Sequence, residues 1–488
     1  MADRSRAGIE MNFAFGKGPK SKLGRRPNAP MRLLVLGDFG GHGSRAQVRP
    51  GAELRPLRVD LDSFPSLFAK IAPRIQVRLG GQPPLTVAIG ELEDFHPDRL
   101  FTSLEFFAPM RELRRQLQDP KTFAVAAAMV GSVAPIQAAP TVGDVAAHGE
   151  DLQRLLGRPA TAEAPAARPA SAVDAMIREA VAPHVVGGAD PRQADLVAAV
   201  DAMTGELMRA LLHDRGFQAV EAAWRGLDRL VRTLELDELL QVHVLDVSRA
   251  ELAEDFAAAP TLTEAALYGI VVDRVGDKPW SLLVDCTAYQ RGQDDAALLA
   301  RLGTLAQQVD AAVVASMDWA AYSAGFASPE DERAWTALRN SSAATSVALT
   351  LPNILLRLPY GRGTDPIERF AFTEQASPPV SERYLWGSSA LAVAQLLAQS
   401  FAEAGGWDFA PGDESSIDDL PTHVTKQNGE SVQTPCAQTW LPESKIDALI
   451  RDGLMPVVSA QGRGEVRVPR FQSIALPSAA LAGRWRND

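Results

Sequence analysis

Apolar and polar positions change period along the chain, and the changes mark its elements. Met31-Arg-Leu-Leu-Val-Leu-Gly37 is a short apolar run closed by glycine, which predicts a buried strand. Pro56 to Asp60 and Ile75 to Leu79 alternate with period two, as strands covered on one face do. Between them Phe64, Leu67, Phe68 and Ile71 recur at helical spacing, with Asp62 or Ser63 as N-cap. Leu85 to Ile89 predicts a further strand. From Leu104 to Leu117 the spacing predicts a helix with Leu104, Phe107, Leu113 and Leu117 near one face, and Pro109 either kinks it or marks its true start. These elements predict a small α/β unit over residues 31–130, preceded by a flexible basic tail over 1–30.

Residues 131–190 read differently. Gly157 to Ala172 holds three prolines and almost no large apolar side chain, so it is expected to be a semi-rigid linker. Asp151 to Leu156, just before it, predicts a short helix. Beyond 190 the helical period returns. Leu196, Val200, Met203, Leu207, Leu211, Val220, Trp224, Leu227 and Val231 form a long amphipathic pattern that Gly216 divides into two helices. Strands and helices then alternate: Gln241 to Val247, helix Arg249 to Ala257, Ser281 to Cys286, helix Asp295 to Val309, Ala311 to Ser316. This rhythm predicts a layered βα sheet with helices packed on it. The fold class expected for the whole chain is α/β.

Composition adds exclusions. A chain of 488 residues exceeds what one hydrophobic core serves, and 46% apolar with 22% charged residues excludes wholesale disorder. A net charge of −11 leaves no chain-wide basic field for nucleic acid. The tail residues Lys17, Lys20, Lys22, Arg25 and Arg26 lack interleaved aromatics and read as solvated. The two cysteines, Cys286 and Cys436, make no disulfide framework, which points to a reducing compartment. With no apolar signal core and no apolar run of about 20 residues, a cytoplasmic protein without membrane partners is expected.

Candidate chemistry is sparse. Gly37-Asp-Phe-Gly-Gly-His-Gly43 follows a strand, where a phosphate loop would sit, but it lacks the G-x-G-x-x-G and Gly-Lys-Ser/Thr patterns and reads as a turn. The seven histidines show no i+3 to i+5 pair for zinc. His96 in Asp94-Phe-His-Pro-Asp98 reads as a capped turn with Pro97 opening a helix. No G-x-S-x-G elbow occurs. No catalytic, cofactor-binding or metal-ligating residue is assigned, no cofactor is expected, and a nucleotide-binding enzyme is the least favoured reading.

Several strings carry a family resemblance. His213-Asp-Arg-Gly-Phe-Gln-Ala-Val-Glu-Ala-Ala-Trp-Arg-Gly-Leu227, Val242-His-Val-Leu-Asp-Val-Ser248, Glu251-Leu-Ala-Glu-Asp-Phe256, Leu356-Arg-Leu-Pro-Tyr-Gly361, Tyr384-Leu-Trp-Gly387 and Asp419-Leu-Pro-Thr-His423 resemble, in order, the large contractile-sheath protein of type VI secretion, TssC. Lys22-Leu-Gly-Arg25, Phe64 through Arg74 and Leu92 to Asp98 resemble the small sheath protein, TssB. The chain thus resembles a fusion of both, with 31–130 TssB-like and 191–488 TssC-like. The resemblance implies a structural sheath component that acts through interfaces, with other sheath subunits, the Hcp inner tube, the baseplate and a ClpV-like AAA+ unfoldase as partners. The family's β segment between Pro27 and Met31 and its C-terminal part beyond Asp488 are expected to be missing. That motivates an alternative, a non-polymerising accessory that docks on the secretion apparatus.

Interface candidates follow from the pattern. The Trp224–Arg225–Gly226–Leu227 stretch is one, the alternative being that Trp224 and Leu227 are core and Arg225 pairs nearby. The helix bearing Leu104, Phe107, Leu113 and Leu117 is the expected surface between the TssB-like and TssC-like parts, because its apolar face needs a partner. Asp151 to Leu156 is a candidate unfoldase-docking element.

Overall fold

The structure, a computed structural model, describes residues 29–80, 83–131, 190–376, 378–411 and 415–485. The Gly157–Ala172 linker, the Asp151–Leu156 element and residues 1–28 of the basic tail lie outside these residues. The first part of the chain forms β1 (Met31–Gly37), β2 (Leu57–Val59), α1 (Phe64–Ile71), β3 (Arg74–Val77), β4 (Leu85–Ala88), α2 (Pro97–Ser103), α3 (Ala108–Gln118) and α4 (Phe123–Gly131). Pro109 sits in the first turn of α3, so it opens the helix, and Glu105–Phe107 before it is a 3-10 turn. His96 accepts from the Asp98 amide as N-cap of α2, with Pro97 at its first position.

The second part opens with α5 (Gln193–Leu212) and α6 (Arg215–Thr233), broken at Asp214, whose carboxylate caps α6 through the Phe217 amide. Then come β5 (Leu240–Asp246), α7 (Arg249–Ala258), α8 (Ala266–Val271), β6 (Leu282–Tyr289), α9 (Gln293–Gln308), β7 (Ala312–Met317), α10 (Trp319–Ala324), α11 (Pro329–Arg339) and β8 (Val347–Leu351). Ser248 and Glu251 close a capping box on α7. A long irregular passage containing β9 (Ile354–Leu355) and β10 (Trp386–Gly387) leads to α12 (Ser389–Glu403). Small strands β11 (Ser415–Ile417), β12 (Val424–Gln427) and β13 (Glu430–Gln433), helix α13 (Glu443–Arg451), and β14 (Met455–Pro456), β15 (Val458–Ser459) and β16 (Val466–Val468) complete the chain.

One seven-stranded sheet, ordered β14-β8-β7-β6-β1-β5-β2, organises all of this. Every pairing in it is parallel except the β2–β5 edge. β1 is an inner strand: Leu33 to Leu36 align with Val242 to Leu245 on one side and Leu282 to Asp285 on the other. The small α/β unit is therefore joined to the larger one through the sheet itself, while β3 and β4 form a separate hairpin. Both faces are covered, as a parallel sheet requires. Leu33, Val35, Val242, Val284 and Val314 meet α6 and α12; Leu34, Leu36, Leu245, Leu283 and Val313 meet α7, α8 and α9.

Candidate functional site: the seam between the two parts

Trp224 anchors the seam from α6. Its Nε1 donates to the Phe39 carbonyl at 2.9 Å, and its ring lies 4.0 Å from Phe68, 5.2 Å from Phe39 and 5.6 Å from Phe64. Three residues of the first part thus enclose one residue of the second, and aromatic pairs add about 0.5–1.5 kcal/mol each beyond burial. Leu227, one turn on, is also fully buried. Gly226 between them lets α12 approach, since a Cβ there would come within 2.5 Å of Leu391 Cδ1.

Arg225 looks the other way, into a buried ionic cluster. It donates to Glu221 at 2.7 Å and to the Tyr360 hydroxyl at 3.1 Å. Glu221 also receives Arg357, which bridges to Glu374 at 2.7 Å and stacks over the Tyr360 ring. Burial pushes Glu374 upward, but the Arg357 charge, His213 and further hydrogen bonds outweigh it and hold the carboxyl down to about 2. His213 Nε2 stands 3.4 Å from Glu374.

The second contact runs along α3. Leu117 is fully buried and Leu113 half-buried in a cluster with Phe123, Ala126, Leu196, Val197 and Val200, which joins α3 and α4 to α5. Arg114 pairs with buried Asp201 at 2.7 Å, and Asp201 also accepts from the Ala371 amide at 3.0 Å. Phe107 is fully buried beside Phe101, and Leu104 lies at the rim of the same core. Asp98 accepts from the Glu368 and Arg369 amides, and Phe370 packs 4.8 Å from Phe101. The passage around residues 361–374 is thereby fastened to both parts at once.

The Gly37–Gly43 loop has the geometry of a filled turn. The Asp38 carboxylate accepts from the His42 and Gly43 amides, at 2.7 and 2.8 Å, and burial still pushes its pKa up. The Gly40 amide donates to Asp246, which also meets His42 and Arg49. Gly41 has φ +73°, and a Cβ there would sit 2.6 Å from the Arg74 carbonyl. These amides already have partners, so the loop ties β1 to β5 and β3. Among the described residues no group of three or more His, Cys, Asp or Glu is disposed to hold a metal, and no helix is long and apolar enough to cross a membrane.

All seven candidates of the pattern therefore belong to the interior or its margin. Leu104, Phe107, Leu113 and Leu117 join the helical layer, while Trp224, Arg225 and Leu227 join α6 to its neighbours. Sequence reasoning missed Asp98 and Asp201 as seam residues, and Glu221 and Glu374 as members of the ionic cluster within the second part. Arg357 and Tyr360 lie inside the Leu356–Gly361 string, which gave their resemblance but not their role.

What the fold and seam define is an α/β protein of two parts that share one sheet and meet at packed contacts around Trp224 and along α3. Residues 194–474, more than half of the chain, match the sequence model of the family described as VipB: EvpB/VC_A0108, tail sheath N-terminal domain, and the chain belongs to that family. Residues 19–127 match the family described as type VI secretion system, VipA, VC_A0107 or Hcp2, so one chain carries both sheath-subunit stretches. It is also 28% identical over 306 residues to the type VI secretion system sheath protein TssC1 of Pseudomonas aeruginosa, a match covering 58% of this chain and 61% of that protein. The chain thus spans about three fifths of its relative's length.

Proposed function

We propose that this protein is a structural component of a type VI secretion sheath, in which residues 31–130 act as the small subunit and 191–488 as the large one. The observation that carries this reading is the place of β1 between β5 and β6. A strand from the VipA-like stretch completes the sheet of the VipB-like stretch, so the fused chain is one preassembled building block. Fusion fixes one-to-one stoichiometry and makes the docking intramolecular. Other sheath protomers, the Hcp inner tube, the baseplate and a ClpV-like unfoldase are its partners in this reading, and the cytoplasm its compartment.

Electron microscopy of the purified protein, alone and with the inner-tube protein, tests the proposal. Tubes with a helical repeat, or incorporation into tubes, are expected. A particle that stays monomeric under both conditions and never joins a tube overturns the reading in favour of the accessory one.

A further inference from the structure

The β3–β4 hairpin has one face in the core and one in water. Ile75, Val77 and Val87 are buried in the layer that contains α6, so Arg74, Gln76 and Arg78 alternate outward along β3. Arg74 and Arg78 stand about 13 Å apart, four residues at ~3.3 Å each. Lys70, in the last turn of α1 just before them, is exposed as well. Arg45 lies alongside, because the Gly40 carbonyl and the Ser44 hydroxyl bond the Arg74 and Gln76 amides. Its guanidinium donates to the Gly40 and Gly41 carbonyls and to His42. Among the described residues none of these four cations has a carboxylate partner. A chain of net charge −11 thus keeps a cationic strip uncompensated on one small sheet face.

Carboxylates without a cation stand at another corner of the molecule. Asp294 in the first turn of α9 and Glu332 in the first turn of α11 are exposed, and among the described residues neither makes an ion pair. The two turns adjoin, since Asp331 accepts from the Gln293 amide at 3.0 Å. Through Ala296, Leu299, Trp335 and Leu338, α9 and α11 pack on the face of the sheet opposite to α6. The sheet stands between strip and corner in the folded chain, so the two can meet only between copies.

We propose that the Arg74–Arg78 strip of one copy docks on the Asp294–Glu332 corner of the next, a contact that rests on the sheath reading and names its copy-to-copy surface. Charge complementarity selects the occupant. Guanidinium forks match discrete carboxylates, and the strip carries no aromatic side chain on which a nucleic-acid base would stack. Because the two surfaces differ, the contact is head-to-tail, and its repetition builds a ring or a helical filament where a two-fold contact stops at a pair.

Sedimentation velocity of the full-length chain tests the contact. Concentration-dependent association is expected at about 50 mM salt and its loss at about 500 mM, where exposed charges are screened. Arg74→Glu/Arg78→Glu and Asp294→Lys/Glu332→Lys should each associate about tenfold more weakly than wild type. An equimolar mixture of the two variants should recover the wild-type affinity to within about threefold, because each reversed surface finds its complement on the other variant. Recovery also shows that both variants fold. Wild-type association in either variant alone overturns the proposal, as does a mixture that stays dissociated or a wild type that is monomeric at low salt. Phosphatidylserine vesicles check a membrane as occupant: wild-type binding that Arg74→Glu/Arg78→Glu abolishes, with no recovery in the mixture, overturns the copy-to-copy contact. Electron microscopy of the same samples separates the two readings. Tubes formed equally well by wild type and both variants overturn the contact alone, whereas association and recovery without tubes support the contact and overturn the sheath reading.

Discussion

Arg357 stands between the carboxylates of Glu221 and Glu374, both fully buried, in the ionic cluster of the second part. Removing one member of such a cluster costs far more than the cluster contributes, because the partners stay buried without compensation. Arg357→Met is expected to lower stability by about 3–5 kcal/mol in chemical denaturation at neutral pH. Glu374 has an ordinary value of 4.5 and a folded value of about 2, so its contribution is full above 4.5 and disappears as pH falls through about 2. In the variant the deficit should shrink as acid protonates the orphaned carboxylates; a deficit independent of pH would count against this account. His243 works in the opposite sense. Burial, then the charges of Arg32 and Arg58, lower its pKa from 6.5 to about 3. The unfolded chain takes up a proton at 6.5 that the folded chain refuses, so stability falls as pH drops from 6.5 toward 3. His243→Leu should flatten the slope of unfolding free energy against pH in that window.

Among the elements, α3 is the one whose removal from its partner is simplest to arrange. Leu117→Asp places a carboxylate in a fully buried site, and Leu113→Asp in a half-buried one. Both should loosen α3 and α4 from α5, with Leu117→Asp the more damaging. Thermal unfolding and protease cleavage between α3 and α4 read the effect, and equal resistance to wild type in both variants would show that the layer does not need this contact. At this scale the sequence was largely readable. Apolar periodicity placed β1, α1, α3 and the β5–α7–β6–α9–β7 rhythm, because each is set by side chains only a few positions apart; the α5–α6 break falls at His213–Asp214, where the Asp214 cap starts α6, and not at Gly216, which lies inside α6. The turn nature of Gly37–Gly43 was readable too, from the absence of phosphate-loop spacing. Hidden were the relations between distant residues. Nothing local in Met31–Gly37 says that it lies between strands beginning at Leu240 and Leu282, and nothing near Glu221 points to Arg357 or Glu374. Trp224 and Leu227, offered as an interface with core as the alternative, are fully buried and present no surface outward.

For the molecule as a whole, the shared sheet makes the two parts mutually dependent. Without β1, the facing edges of β5 and β6 lose their parallel partner, and Trp224 loses Phe39, Phe64 and Phe68. Residues 190–488 produced alone should therefore aggregate, and residues 1–131 alone should lack protected strand amides. Coexpression of the two pieces should restore a soluble one-to-one complex, measurable by size-exclusion chromatography and mass photometry. Independent folding of either piece would mean that the sheet is not the joint. The same topology sets a timetable for synthesis. β1 leaves the ribosome roughly 200 residues before β5, which at about 5–20 residues per second is an interval of about 10–40 seconds. Throughout it a seven-residue apolar strand has both edges unsatisfied and no native partner yet made. Met31–Gly37 stays unpaired for that long, so slowing translation between β1 and β5 is expected to lower the yield of soluble protein.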